Sequence, residues 1–190
     1  MVKSKSSTSN RILGYIIALF LLVALSSIVT GTQAHAASTS SVYSYLGVAP
    51  TAAEKKLMKA HPIQAAKIYN LSQTAVSLTK EYYGNSGHND NSDAFRHCLW
   101  SALITREYGA STAKTWTDAH ESTTPTTQSE KLENQMDLYN NSVGRSLSVS
   151  GKSNADIAKS VKTKVKNGKL KRLNAKGTGI IATDGTGLKK

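Results

Sequence analysis

The residues whose types and spacing could do chemistry fall in three short stretches. In "NSDAFRHCLW", residues 91–100, Asp93 and His97 stand one helical turn apart and Arg96 lies beside His97. "WTDAHES" supplies Asp118, His120 and Glu121, and "QMDLYNNSVGR" supplies Asp137, Asn140, Asn141 and Arg145. Imidazole nitrogens and carboxylate oxygens together form the mixed donor set that suits zinc or manganese, with a coordination position left for water. The expected ligands are Asp93, His97, His120 and Asp137, with Glu121 taking the proton of the activated water. A version without metal uses His97 paired with Asp137 as the general base. Arg96 and Arg145 are expected to hold an anionic group such as a phosphodiester, since guanidinium forks match phosphate geometry. Asn140, Asn141, Asp118 and Trp100 complete the polar surroundings. No established ligand spacing such as HExxH is present.

Chemistry of this kind needs the groups to be buried together. On a helical wheel Phe95, Cys98, Leu99 and Ala102 form one apolar face, while Asp93, His97, Trp100 and Ile104 gather on the other. A helix apolar nearly all round belongs at the centre of a domain, so Asp93 and His97 need partners from neighbouring helices. Asp118 and His120 lie about 160° apart on a regular helix and cannot both face one site. Of that pair, His120 points inward with Ala113 and Trp116. Gly144, one turn beyond Asn141, costs about 1 kcal/mol in a helix interior, which implies that something approaches the backbone there. Cys98 is the sole cysteine. It cannot form an intrachain disulfide, and its neighbour His97 points about 100° away, so it reads as a small buried apolar residue.

The elements that must position these groups are helices nearly throughout. Thr51 with Glu54 has capping-box spacing and starts a short helix to about Ala60. A second begins near Pro62 and carries Ile68, Leu71, Ala75, Leu78 and Tyr82 until Gly84. A third spans about 92–108 and is closed by Gly109, and a fourth covers about 111–121. Thr127 with Glu130 caps a fifth, and Ser153 with Asp156 caps a sixth that ends at Asn167-Gly168. "GIIATDG" suggests a short strand or hairpin at the end. The fold class expected is mainly α: a single-domain helical bundle around the buried central helix 92–108, with a short β-hairpin at the C-terminus.

"DAFRHCLWSAL", "DAHE" and "MDLYNNSVGR", in this order, resemble an uncharacterised bacterial domain family whose members read DAFRHxxW, DAHE and MDLxNNxxGR. The likeness covers about residues 51–170. Cys98 stands where alanine is expected, which again argues against a thiol mechanism. The family occurs in secreted proteins and also ends some large wall-associated or toxin-like chains. The resemblance implies a helical domain in which Asp93, Arg96, His97, Trp100, Asp118, His120, Glu121, Asp137, Asn140, Asn141, Gly144 and Arg145 fit the pattern. It assigns no reaction.

Composition bounds the setting. The 190 residues carry a formal charge of +12, but residues 37–149 hold ten basic and ten acidic side chains. Residues 150–190 hold eleven basic and two acidic, a local charge of +9. A basic leader, an apolar run from Ile12 to Val29 and Ala34-His35-Ala36 read as a secretory signal cleaved after Ala36, so a secreted or wall-associated protein is expected; the alternative is an uncleaved anchor, which would be the chain's one contact with the membrane. The expected organisation is a signal at 1–36, a linker at 37–50, the helical domain at 51–168 and a basic tail or short hairpin at 169–190. Anionic cell-envelope polymers or phospholipid headgroups are the partners the tail favours. Without aromatic interleaving it offers no specific nucleic-acid readout. Three readings are open, in descending order: a hydrolase of a phosphodiester or other anionic envelope-associated substrate, a wall-binding module, and a satisfied polar core without a ligand.

Overall fold

Among the described residues, five helices build the architecture. A computed structural model describes residues 44–189. The chain divides into two units, Met1–Ala37 and Ser38–Lys190, and the described residues all belong to the second. The expected signal segment lies outside the described residues, as does most of the expected linker. Helix α1 (Ala52–Ala60) opens on a reciprocal capping box, with Glu54 N–H donating to Thr51 Oγ1 and Thr51 N–H donating to Glu54 Oε2. Helix α2 (Pro62–Tyr83) has proline in its first turn and stops at Gly84, whose φ of 82° lies in the left-handed region.

Helix α3 (Asn91–His120) is the axis of the domain. Asp90 caps it by accepting from the Ser92 and Asp93 amides, and every residue from Asn91 to Ile104 is buried. Gly109, at φ 83° and ψ 162°, breaks the helical backbone, so the third and fourth helices expected from the sequence are two rods joined at that residue. Helix α3 packs against α1, α2, helix α4 (Gln128–Arg145) and helix α5 (Asn154–Lys166), which makes it the element that touches every other helix. Phe95, Leu99, Leu103, Ile157, Val161 and Ile68, all fully buried, form the apolar core around it.

Two short strands, β1 (Lys171–Leu173) and β2 (Ile180–Ala182), pair antiparallel with Arg172 opposite Ile181. The expected hairpin is therefore present, and it is packed into the domain. Leu170 and Leu173 are buried, Asn140 exchanges two hydrogen bonds of 2.9 Å with the Lys171 backbone, and Leu173 N–H donates to Asn89 O. At the other end, Tyr45 lies in a 3-10 turn (Tyr45–Gly47), fully buried, stacked on Trp100 and edge-on to Trp116. Part of the stretch expected as linker is thus core, because an aromatic ring of this size finds its apolar contact only inside. Among the described residues, no helix is long and apolar enough to cross a membrane.

Candidate metal centre

Position along α3 decides the first two groups. Asp93 and His97 project from successive turns, and His97 Nε2 is 3.2 Å from Asp93 Oδ1. Helix α4 crosses α3 closely because residue 144 has no side chain: a Cβ there would stand 2.2 Å from the carbonyl oxygen of Cys98 and 2.9 Å from Ser101 Cβ. The approach that Gly144 implied in the sequence is made by the α3 backbone. It brings Asp137, two turns earlier on α4, to 3.7 Å from the same Nε2. The end of α3 returns with Glu121, whose Oε1 lies 3.3 Å from His97 Nδ1 but out of line for a hydrogen bond, and accepts from Asn141 Nδ2 at 3.0 Å.

Asp93 is anchored on both oxygens. Arg96 Nη2 donates to Oδ1 at 2.5 Å and the Asn89 amide donates to Oδ2 at 2.5 Å. Asn89 reaches this position with a left-handed φ of 60°. Arg96 also donates to Ser86 Oγ and Gly87 O, so it ties the loop before α3 to the site.

The electrostatics divide the four acids and bases unequally. Burial alone pushes Asp93 up, but the hydrogen bond and charge of His97, with Arg96 and the Asn89 amide, hold it at about 2. Burial likewise opposes ionisation of Glu121, and His97, His120 and Asn141 outweigh it, so its pKa is lowered. His97 moves the other way. Burial disfavours the imidazolium, but the charges of Asp137 and Glu121 and contacts with Asp93 carry its pKa well above 6.5. Asp137 is raised far above the usual carboxylate range by burial, reinforced by Asp93, Glu121 and Glu133, with only His97 opposing. Burial thus disfavours ionisation of Asp137, while the carboxylates around His97 favour its imidazolium.

One donor atom each from Asp93, His97 and Asp137 lies within 4.8 Å of the others, all three buried, and this group could hold a metal ion. With metal–ligand bonds of about 2.1 Å, adjacent donors are about 3.0–3.4 Å apart, close to the 3.2 and 3.7 Å measured from Nε2. Asp137 Oδ1 is buried and has no hydrogen-bond partner. A divalent ion held there would compete with protons for His97 and Asp137.

The remaining expected residues sort by distance from this cluster. A cavity of about 230 Å³ is lined by Asp93, Arg96, His97, His120, Glu121 and Asp137, with His88, Glu133, Thr123, Thr51 and the Leu46–Ala49 segment around them. His120 borders the cavity but is held at 2.8 Å by Glu54 through Nδ1 and does not join the three-residue group. Trp100 donates to Ile68 O and sets its ring edge-on to His120. Arg145 does not line the cavity: it donates to Thr117 Oγ1 at 3.0 Å and stands 4.0 Å from Asp118. Eight residues separate it from Asp137, about 12 Å along a helix axis, so the two-arginine clamp does not form around the cluster. Asp118 pairs with Lys114 on the outer face, and Asn140 serves the β1 edge. Cys98 is fully buried and pushed up to about 12 by burial, which leaves no thiolate. Glu54, Asn89 and Glu133 were not legible as site residues. Glu54 showed only its capping role, and its second partner is 66 positions away in sequence.

A mainly helical domain with a buried imidazole–carboxylate centre on its central helix is the class that fold and site define. The family described as Domain of unknown function (DUF6973) matches residues 55–169, and the chain belongs to it. No curated protein and no solved structure matches the chain.

Proposed function

We propose that this domain is a metal-dependent hydrolase of an exported protein, acting on a phosphodiester or another anionic substrate of the cell envelope. The observation that carries the reading is the buried group of Asp93, His97 and Asp137, with Asp137 Oδ1 lacking a hydrogen-bond partner, on a cavity of about 230 Å³. Asp93, His97 and Asp137 are the ligands, and zinc or manganese suits one nitrogen and two oxygens. An ion held there would supply Lewis acidity and positive charge toward an anionic substrate. The cavity's one arginine is already engaged with Asp93. Glu121 Oε1, 3.3 Å from His97 Nδ1, sets a carboxylate behind the ring and acts on it through charge.

The experiment is direct. The purified chain is assayed for bound metal and for turnover of bis(4-nitrophenyl) phosphate, phospholipid vesicles and cell-wall polymer, with and without a chelator. Stoichiometric metal and chelator-sensitive turnover of at least one of these, lost in His97→Ala, is the expected result. A chain that takes up no metal and turns over none of them sinks the reading.

A second reading, docking on anionic wall polymers, draws on the basic C-terminal segment, where Lys159, Lys166, Lys169, Lys176 and Lys189 are exposed. Replacing these five by glutamine removes adsorption to anionic wall preparations on that reading, and undiminished adsorption ends it.

A further inference from the structure

His120 and Glu54 form a pair that the three-ligand cluster does not use, yet the ring borders the same cavity. Glu54 is fully buried. Its Oε2 accepts from the Thr51 amide at 2.7 Å and its Oε1 meets His120 Nδ1 at 2.8 Å. A carboxylate accepts, so in the neutral ring Nδ1 carries the hydrogen and Nε2 the lone pair. Among the described residues nothing bonds Nε2, while Trp100 braces the ring edge-on at 5.1 Å between centroids. Thr51 Oγ1 donates to Ala119 O at 2.7 Å, which locks the start of α1 to the end of α3. The imidazoles of His120 and His97 are 5.9 Å apart between centroids, so both face one space. A carboxylate–imidazole pair with a bare nitrogen beside a cation site has the parts of an activated base.

We infer that His120, oriented by Glu54, is the proton acceptor of this site and not one of the ion's ligands. The inference rests on the hydrolase reading and deepens it. In the step, Nε2 takes one proton from water as the water oxygen bonds to the electrophilic phosphorus or carbonyl carbon of the substrate. The bond to the leaving oxygen breaks with its electron pair, and that oxygen collects the proton from Nε2. His120 returns to its neutral form with no other reactant consumed. Glu54 touches no substrate and is a positioning residue.

Three measurements on the full chain separate the roles. Nitrogen NMR of histidine-labelled protein shows His120 with a protonated Nδ1 and a bare Nε2, and Glu54→Gln relaxes that tautomer preference. The opposite tautomer in the native chain overturns the inference. Zinc titration calorimetry shows His120→Ala binding within about threefold of the native affinity while His97→Ala loses more than about tenfold. Equal losses make His120 a ligand and overturn the inference, whereas a native chain that binds no zinc overturns the hydrolase reading itself. On whichever of the three substrate classes the native chain turns over, His120→Ala lowers kcat by about 10²–10⁴ and added imidazole restores part of it. An unchanged kcat, or a loss that imidazole leaves untouched, counts against the acceptor role.

Discussion

At the residue scale the decisive contrast is between Asp93 and Asp137, two aspartates near one imidazole with opposite fates. Asp93 receives hydrogen bonds from Arg96 and the Asn89 amide, whereas Asp137 Oδ1 receives none and faces other carboxylates. Burial opposes ionisation of Asp137 and its Oδ1 has no hydrogen-bond partner, so Asp137→Asn is expected to leave the stability of the metal-free chain within about 1 kcal/mol. Zinc affinity falls more than about tenfold in the same variant, and chemical denaturation with calorimetry reads both. The pH dependence has its origin in the same shifts. His97 has a folded pKa raised above 6.5, so its contribution is complete below 6.5 and is lost as pH rises toward the raised value. Asp137, also raised, keeps in the native state a proton that the unfolded chain releases, which works in the same direction. Metal-free protein should thus lose stability as pH rises, Asp137 contributing from 3.8 upward and His97 from 6.5 upward, read as a falling urea midpoint. If Asp93, His97 and Asp137 hold zinc as proposed, its uptake displaces protons from them and its affinity should rise with pH. Asp93 acts at the other end: its contribution is present above 3.8 and is lost as pH falls through about 2.

At the element scale, the site depends on how closely α4 lies against α3. Gly144→Ala places a methyl against the Cys98 carbonyl and Ser101, where backbone cannot yield, and is expected to cost about 1–3 kcal/mol or more. Since Asp137 rides on α4, zinc affinity should fall as well, although residue 144 touches no ligand. Unchanged affinity in a folded Gly144→Ala chain contradicts this coupling. Gly109→Ala meets no neighbour but must adopt φ 83°, so its expected cost of about 1–2 kcal/mol comes from backbone strain alone. Thermal unfolding of the two variants should separate them: both lower Tm, and Gly144→Ala disturbs the metal site more.

At the scale of the whole molecule, the C-terminal segment is part of the fold. Deleting residues 169–190 removes buried Leu170 and Leu173, the backbone partner of Asn140 and the bond that holds Asn89 O, next to the amide that supports Asp93. Two buried leucines alone amount to about 3–6 kcal/mol, a large part of the about 5–15 kcal/mol that stabilises a domain. The truncated chain is expected to be unfolded or to melt more than about 10 °C lower, measured by circular dichroism, and a native-like melting curve refutes this. Zinc at a hundred times its dissociation constant should raise native stability by about 2.7 kcal/mol through mass action, an increase that a chelator reverses.

Local chemistry by itself determined where helices begin and end in this protein. Thr51 with Glu54, Thr127 with Glu130, Ser153 with Asp156, Pro62, Gly84 and Gly109 act within a few residues of themselves, and the helical class and terminal hairpin result. Burial of Asp93 and His97 was also readable, because apolar residues surround them on one helix. Tertiary structure alone decided which polar groups meet. That Asp137 reaches His97, that Glu54 holds His120, and that Arg145 turns to Thr117 depend on the angle at which one rod crosses another. Such an angle is set by packing summed over many side chains far apart in sequence, and no short stretch encodes it.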